Sequence, residues 1–249
     1  MGRYEEALEA GDAAIAIARR LGRSDSVVMN YSTMPLRDIF WLDEAHERSE
    51  EVAERLGPSE FNMPWLNARA DLICAELLLG DIGAVEGTWA SAWDDAAASH
   101  AWERWLIGGR LASVRADVEF ERGRFDDALT WAGRAVEMAR TGRRRKYETL
   151  ARLTLGRILM AQGSHEDAMR ELQRAAALAD SLGTPLLRWQ VLAALGEAER
   201  HDRGTADRGE ARIHEAESII RGIAASLAPV RAERYLSARQ VIQVLDAAG

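Results

Sequence analysis

Chemistry needs acids, bases, nucleophiles or metal ligands brought together, and this chain offers few at useful spacing. Its five histidines, His46, His100, His165, His201 and His214, include no i, i+4 pair, the spacing that puts two imidazoles on one helix face for zinc. Cys74 is the single cysteine, so it has no neighbour for a thiolate cluster and none for an intramolecular disulfide, which suits a reducing compartment. Acidic pairs stand at Asp94-Asp95 and Asp126-Asp127, where a cation site or an acid and base could form. Adjacent residues on a helix point apart, however, and acids at helix starts are ordinary dipole partners. No serine or threonine lies in a nucleophile-elbow context, and no GxxxxGK[ST] phosphate loop is present. No catalytic, cofactor-binding or metal-ligating residue is therefore assigned. A helical enzyme would require acids and histidines from separate segments to converge in space.

Two other clusters could bind instead of react. The run Gly142-Arg143-Arg144-Arg145-Lys146 could grip a phosphate or an acidic segment; as structure it is a solvated loop whose cations follow a helix C-terminus. Of eight tryptophans, five fall between Trp89 and Trp131, with Trp89 and Trp93 at i, i+4 and Trp102 and Trp105 at i, i+3. They could line an aromatic pocket for a small molecule, although large rings at helical spacing commonly fill the joint between helices.

The elements that carry these residues read as helices throughout. The stretch from Leu150 to Gly183 shows the pattern most completely. Leu150, Leu153, Leu155, Ile158 and Leu159 form an apolar face ended by Gln162-Gly163. A second helix opens near Ser164 with Glu166 and Asp167 in its first turn and stops at Gly183. Gly156, Ala168 and Ala175 are short where antiparallel helices must approach closely. That order, Gly156, then Gly163-x-His165-Glu166-Asp167-Ala168, then Leu172 and Ala175, resembles the tetratricopeptide (TPR) helical hairpin.

Weaker copies lie on both sides. The turn alanines Ala7, Ala45, Ala84, Ala128, Ala168 and Ala211 are 38, 39, 44, 40 and 43 residues apart, longer than the standard period of about 34. This length resembles the variant in the C-terminal halves of large bacterial regulators, including activators of the maltose-regulator type and ATPases fused to nucleotide-cyclase or DNA-binding domains. The segments Leu182 to Gly196 and Glu215 to Leu227 carry that closer likeness. Without a phosphate loop, a cyclase-like sheet or a following helix-turn-helix, the resemblance implies the regulatory arm alone.

The expected fold is all-α, a TPR-like right-handed superhelical solenoid of antiparallel hairpins over residues 1–249. Residues 1–22 read as the second helix of a truncated first repeat, 26–57, 58–99, 101–141, 144–183 and 184–226 as repeats, and 228–247 as a capping helix. Pro35 should kink or split the helix that contains it. The half-repeat at the start leaves a bare helix edge, which implies a fragment or truncated descendant of a longer protein and self-association through that helix.

With 32 basic and 40 acidic residues, net charge −8 and pI near 5.3, the chain lacks the basic surface that nonspecific nucleic-acid or anionic-membrane binding needs. The cations are almost all arginine, with Lys146 the one lysine, as a GC-rich bacterial genome produces. No signal-like or membrane-spanning run appears, so a cytoplasmic protein is expected. Aligning first helices on Gly156 places Asn30, Arg37, Arg69, Glu76, Arg110, Asp117, Arg157, Glu197 and Arg200 on the concave groove. The expected function is a noncatalytic scaffold with a protein or peptide partner there. The alternatives are a small-molecule sensor using the tryptophans and, behind it, the helical enzyme.

Overall fold

The computed structural model describes residues 3–58, 63–201 and 204–249. Its elements in chain order are α1 (Tyr4–Arg20), α2 (Ser26–Asp38), α3 (Leu42–Leu56), α4 (Met63–Leu79), α5 (Ile82–Ala98), α6 (Ala101–Glu121), α7 (Phe125–Thr141), α8 (Arg145–Ala161), α9 (His165–Leu182), α10 (Pro185–Arg200), α11 (Ala206–Ala225), α12 (Pro229–Leu236) and α13 (Arg239–Ala248). There is no strand among the described residues. Five antiparallel hairpins run from α2–α3 to α10–α11, forming a TPR-like α-solenoid. The first helices α2, α4, α6, α8 and α10 touch in succession, while successive second helices make no comparable contact. One layer is thus drawn together and the other splayed, which puts the first helices on the concave side.

Small residues set the closeness of each hairpin. A Cβ on Gly156 would lie 2.6 Å from Leu172 Cγ, and Ala168, Leu172 and Ala175 are fully buried. Between α10 and α11 the approach is backbone against backbone, since a Cβ on Gly209 would lie 2.6 Å from the Gly196 carbonyl oxygen. The turns of the first four hairpins share one hydrogen-bonding pattern: Gly123 N–H donates to Phe120 O at 2.9 Å and Arg124 N–H to Glu119 O at 2.9 Å, and Gly163 and Ser164 repeat it. This satisfies the last carbonyls of the first helix and requires a left-handed residue. Glycine supplies it at Gly80, Gly123 and Gly163, but in the α2–α3 turn the residue is Phe40, with φ 57°.

These turns correct the sequence register. Gly80 aligned on Gly163 makes Val85, 1% exposed, the counterpart of Ala168, in place of Ala84. In the last hairpin buried Gly209 takes the close-approach position expected of Ala211, which is exposed. Pro35 does not split its helix, because it lies in the last turn of α2, where few intrahelical bonds remain to be lost. The expected single capping helix breaks at Ser237-Ala238 into α12 and α13.

The largest correction concerns α1. Its edge is not bare: Tyr4 and Leu8 join a buried cluster with Leu36 and Ile39 of α2, Trp189 of α10, Ile220 of α11, Tyr235 of α12 and Val241 of α13. The chain's own last helices cover the face that the sequence left for a second copy, so the two ends of the solenoid meet.

The glycines separate packing from propensity. Gly209→Ala should destabilise by about 2 kcal/mol through overpacking. Gly133→Ala, inside α7 with nothing near its added Cβ, should stabilise by roughly 0.5–1 kcal/mol. Urea midpoints of the two variants against the parent test this, and equal shifts would contradict it.

Candidate functional site

Helix α4 is apolar nearly all round, the mark of a buried helix, so any polar side chain within it must be paired. Asn67, Asp71 and Cys74 interrupt it at i, i+4 and i+7 and share the face turned to the concave layer. Asp71 is 1% exposed. Its Oδ1 accepts hydrogen bonds from Arg37 of α2 and Arg110 of α6. Its Oδ2 accepts from Thr33 Oγ1 at 3.1 Å and from Asn67 Nδ2 at 3.0 Å. Asn67 also donates to Asn30 Oδ1 at 2.9 Å and accepts from Arg110 Nη1 at 2.7 Å. The Arg110 guanidinium lies 5.8 Å from the Tyr147 ring centroid of α8, and Lys146 donates to Asp38 of α2 at 3.1 Å. Polar groups of three first helices, α2, α4 and α6, thus converge on one carboxylate, and α8 joins the same layer through Tyr147 and Lys146.

Burial pushes the Asp71 carboxyl up, but Arg110 and Arg37 together outweigh it and hold the group below the usual carboxylate range. Burial likewise opposes charge on both guanidiniums, and Asp71 more than reverses it, so both are held above their ordinary value. Two cations facing one anion leave positive charge in excess. The Asn30 Nδ2 is buried there with no acceptor. Further along the same layer, Thr154 Oγ1 of α8 donates to Asp117 Oδ1 at 3.2 Å. Burial pushes the Asp117 carboxyl up to about 6, against the Arg157 charge and this hydrogen bond.

Five of the nine groove residues are on this layer: Asn30, Arg37, Arg110, Asp117 and Arg157. Asn30 and Arg110 are buried in the polar centre, so they bind neighbouring helices and are not displayed. Arg69 turns to the second-helix side, donating to Asp95 and, at 2.6 Å, to Ser91 of α5, over the Trp65 ring. Glu76 turns to α3, 4.0 Å from His46 Nε2, and burial raises its pKa. The Gly80 turn aligns Ile73 with Gly156, where the sequence alignment used Leu72. A one-residue slip turns a helical side chain by about 100°. Arg200 is held by Glu210 at 3.0 Å and the Ala247 carbonyl at 3.3 Å, while Glu197 is exposed. Sequence reading passed over Asp71, although an acid one turn after Asn67 in a largely apolar helix was the available signal.

The tryptophans do not frame a pocket. Trp89 and Trp93 stack with centroids 5.4 Å apart, and Trp131 meets each edge-on at 5.2 Å. The Trp89 indole donates to the Leu111 carbonyl at 2.8 Å, and Arg134 covers Trp93. They fill the joint of α5, α6 and α7. Among the described residues no group of three or more His, Cys, Asp or Glu could hold a metal ion, and no helix is long and apolar enough to cross a membrane.

No protein-family model and no curated protein matches the chain. Solved structures do. Aspartyl phosphate phosphatase F from Bacillus subtilis superposes with TM-score 0.59 at 13% identity, over 94% of this chain and 62% of that one. BtubC (BKLC) from P. vanneervenii gives 0.54 at 14%, over 85% and 87%. A signal transduction ATPase with numerous domains (STAND) protein with a tetratricopeptide repeat sensor, from Pyrococcus horikoshii, gives 0.53 at 14%, over 89% and 34%. This chain therefore spans about 62% of the first and 34% of the third. Identity this low establishes the TPR-like fold and nothing finer.

Two carboxylates give opposite pH signatures. Asp71 titrates lower when folded, so its contribution is present at neutral pH and lost as pH falls below the ordinary carboxylate range. Asp71→Asn should cost about 3–5 kcal/mol at pH 7, because two buried guanidiniums lose their counter-charge. Asp117 titrates higher when folded, about 6 against 3.8, so its ionisation lowers stability as pH rises through that window. Asp117→Asn should therefore be more stable than the parent at pH 7, with the gap closing toward pH 4. Denaturation midpoints across pH read both, and a gap independent of pH would refute the Asp117 assignment.

Proposed function

We propose that the chain is a noncatalytic protein-interaction or signal-sensing scaffold, the regulatory TPR portion of a cytoplasmic bacterial regulator, with a protein or peptide partner on its concave face. The observation that carries this reading is the convergence of polar side chains from successive first helices on that face, with cations in excess of anions around Asp71. A partner with a carboxylate or an acidic side chain suits such a face, since a guanidinium displayed there, as at Arg157, binds carboxylates through directed, charge-assisted hydrogen bonds. The tetratricopeptide repeat sensor named in the Pyrococcus horikoshii protein supports a sensing arm of this build. The small-molecule reading based on the tryptophans gains no support, because Trp89, Trp93 and Trp131 occupy one another's faces. The self-association expected through α1 is not carried forward, because Tyr4 and Leu8 are covered within the chain.

Residues for a binding test must be displayed on the concave layer, which excludes Arg110. Arg157 is on that layer and exposed. The Arg157→Glu chain should keep the parent's helical circular dichroism and lose the protein captured by the parent from its source cytosol. Capture of the same protein by both chains would overturn the groove assignment.

A further inference from the structure

The two ends of the solenoid meet through a contact of unusual composition. Helix α12 presents Arg231, Arg234 and Tyr235 at i, i+3 and i+4, one face of a helix. That face lies on an aromatic, acid-ringed surface of α1–α3. Arg231 pairs with Glu5, and Glu5 also accepts from the Ala228 N–H at 3.0 Å, at the start of α12. Arg234 donates to Asp43 at 2.7 Å, and both guanidiniums lie within 6 Å of the Trp41 ring centroid, at 5.7 and 5.9 Å. Phe40 packs on Tyr235 and Trp189, with centroids 6.2 and 6.4 Å away.

Three features mark this contact as releasable. Phe40 holds the left-handed backbone that glycine fills at the three equivalent turns, a strained choice that its ring contacts offset. The Tyr4 and Tyr235 hydroxyls and the Trp189 indole N–H are buried at the junction and meet one another or the Leu186 backbone only outside standard hydrogen-bond geometry, and poorly formed bonds hold a buried interface weakly. The outer ion pair, Arg234 with Asp43, is half-exposed on both sides, where such pairs contribute little. Beneath the contact, Lys146 and Asp38 join α8 to α2 across the polar centre.

We infer that α12 is a self-ligand: by occupying the surface formed by α1–α3 it holds the solenoid closed over its concave face, and its release opens that face. The inference rests on the proposed function for the use of the opening, but not for the opening itself. A basic amphipathic helix with an aromatic residue beside two arginines is the partner chemistry that would displace it.

Cys74, the single thiol, lies in the polar centre 3.9 Å from Arg110 Nη2 and reports on the opening without any label being engineered. The rate of its modification by a maleimide is measured in the full chain, with small-angle scattering on the same samples. Arg231→Glu, Arg234→Glu, which faces Glu5, Asp12 and Asp43 with like charge, should react about tenfold faster and scatter as a longer particle. Adding Asp43→Arg should return the rate part of the way to the parent's. Phe40→Gly, which relaxes its own turn while removing the ring, should also react faster. The control Arg170→Glu, Arg174→Glu makes the same charge change on exposed α9 and should react as the parent does. Equal rates in parent and clasp variants, acceleration in the control, or a parent that already scatters as an open particle would each overturn the inference. Loss of partner capture by the Arg157→Glu chain, with the parent's Cys74 rate, would bear on the groove alone.

Discussion

The structure depends on one buried carboxylate. Asp71 sits in the middle of the apolar helix α4 and is stable there because Arg37 and Arg110, from the helices on either side, neutralise it while Thr33 and Asn67 take its remaining lone pairs. Arg37 and Thr33 come from α2 and Arg110 from α6, so the interaction fixes how α2, α4 and α6 are rotated and spaced. Apolar packing would not do this as well, because side chains on a smooth interface can slide at small cost, whereas hydrogen bonds to a buried charge fail within a fraction of an ångström.

Curvature follows from the same layer. Drawing the first helices together while the second helices splay gives a tightly closing stack, in which the glycine-lined approaches at Gly156 and Gly196–Gly209 keep each hairpin thin. A stack that curves enough brings its ends into contact, and here α1–α3 meet α10–α13 around Trp189, Phe40 and Tyr235. The polar centre and the end contact are therefore two consequences of one geometry, and the concave face is lined by charged and polar groups. Its displayed cation is Arg157, exposed toward the C-terminal end of α8.

The residues that a sequence reader takes for function and those that carry the polar centre overlap only in part. Arg37 and Arg110 were visible as cations on first helices, and both proved central. Arg69 and Glu76 were misplaced by a single residue of register, which on a helix is enough to send a side chain to the opposite layer. Asp71 was passed over because its meaning is set by partners about 35 to 40 residues away on either side, and no local pattern reports such a pairing. The tryptophans between Trp89 and Trp131 were countable in the sequence, but only the packed joint shows that Trp89, Trp93 and Trp131 take one another's faces.

What the sequence by itself determined is the helical hairpin and its repetition. Apolar spacing, short residues at the crossing points, acids in first turns and glycines at turns are local constraints, each acting over a few residues, and together they specify an all-helical repeat. What only the tertiary structure decided is how the repeats meet: the rotation that brings Arg37, Asp71 and Arg110 together, the Phe40 turn that no glycine marks, and the covering of α1 by α12. These depend on the accumulated angle between successive hairpins. A few degrees at each joint, summed over five hairpins, decide whether the ends meet, and no single residue encodes that sum.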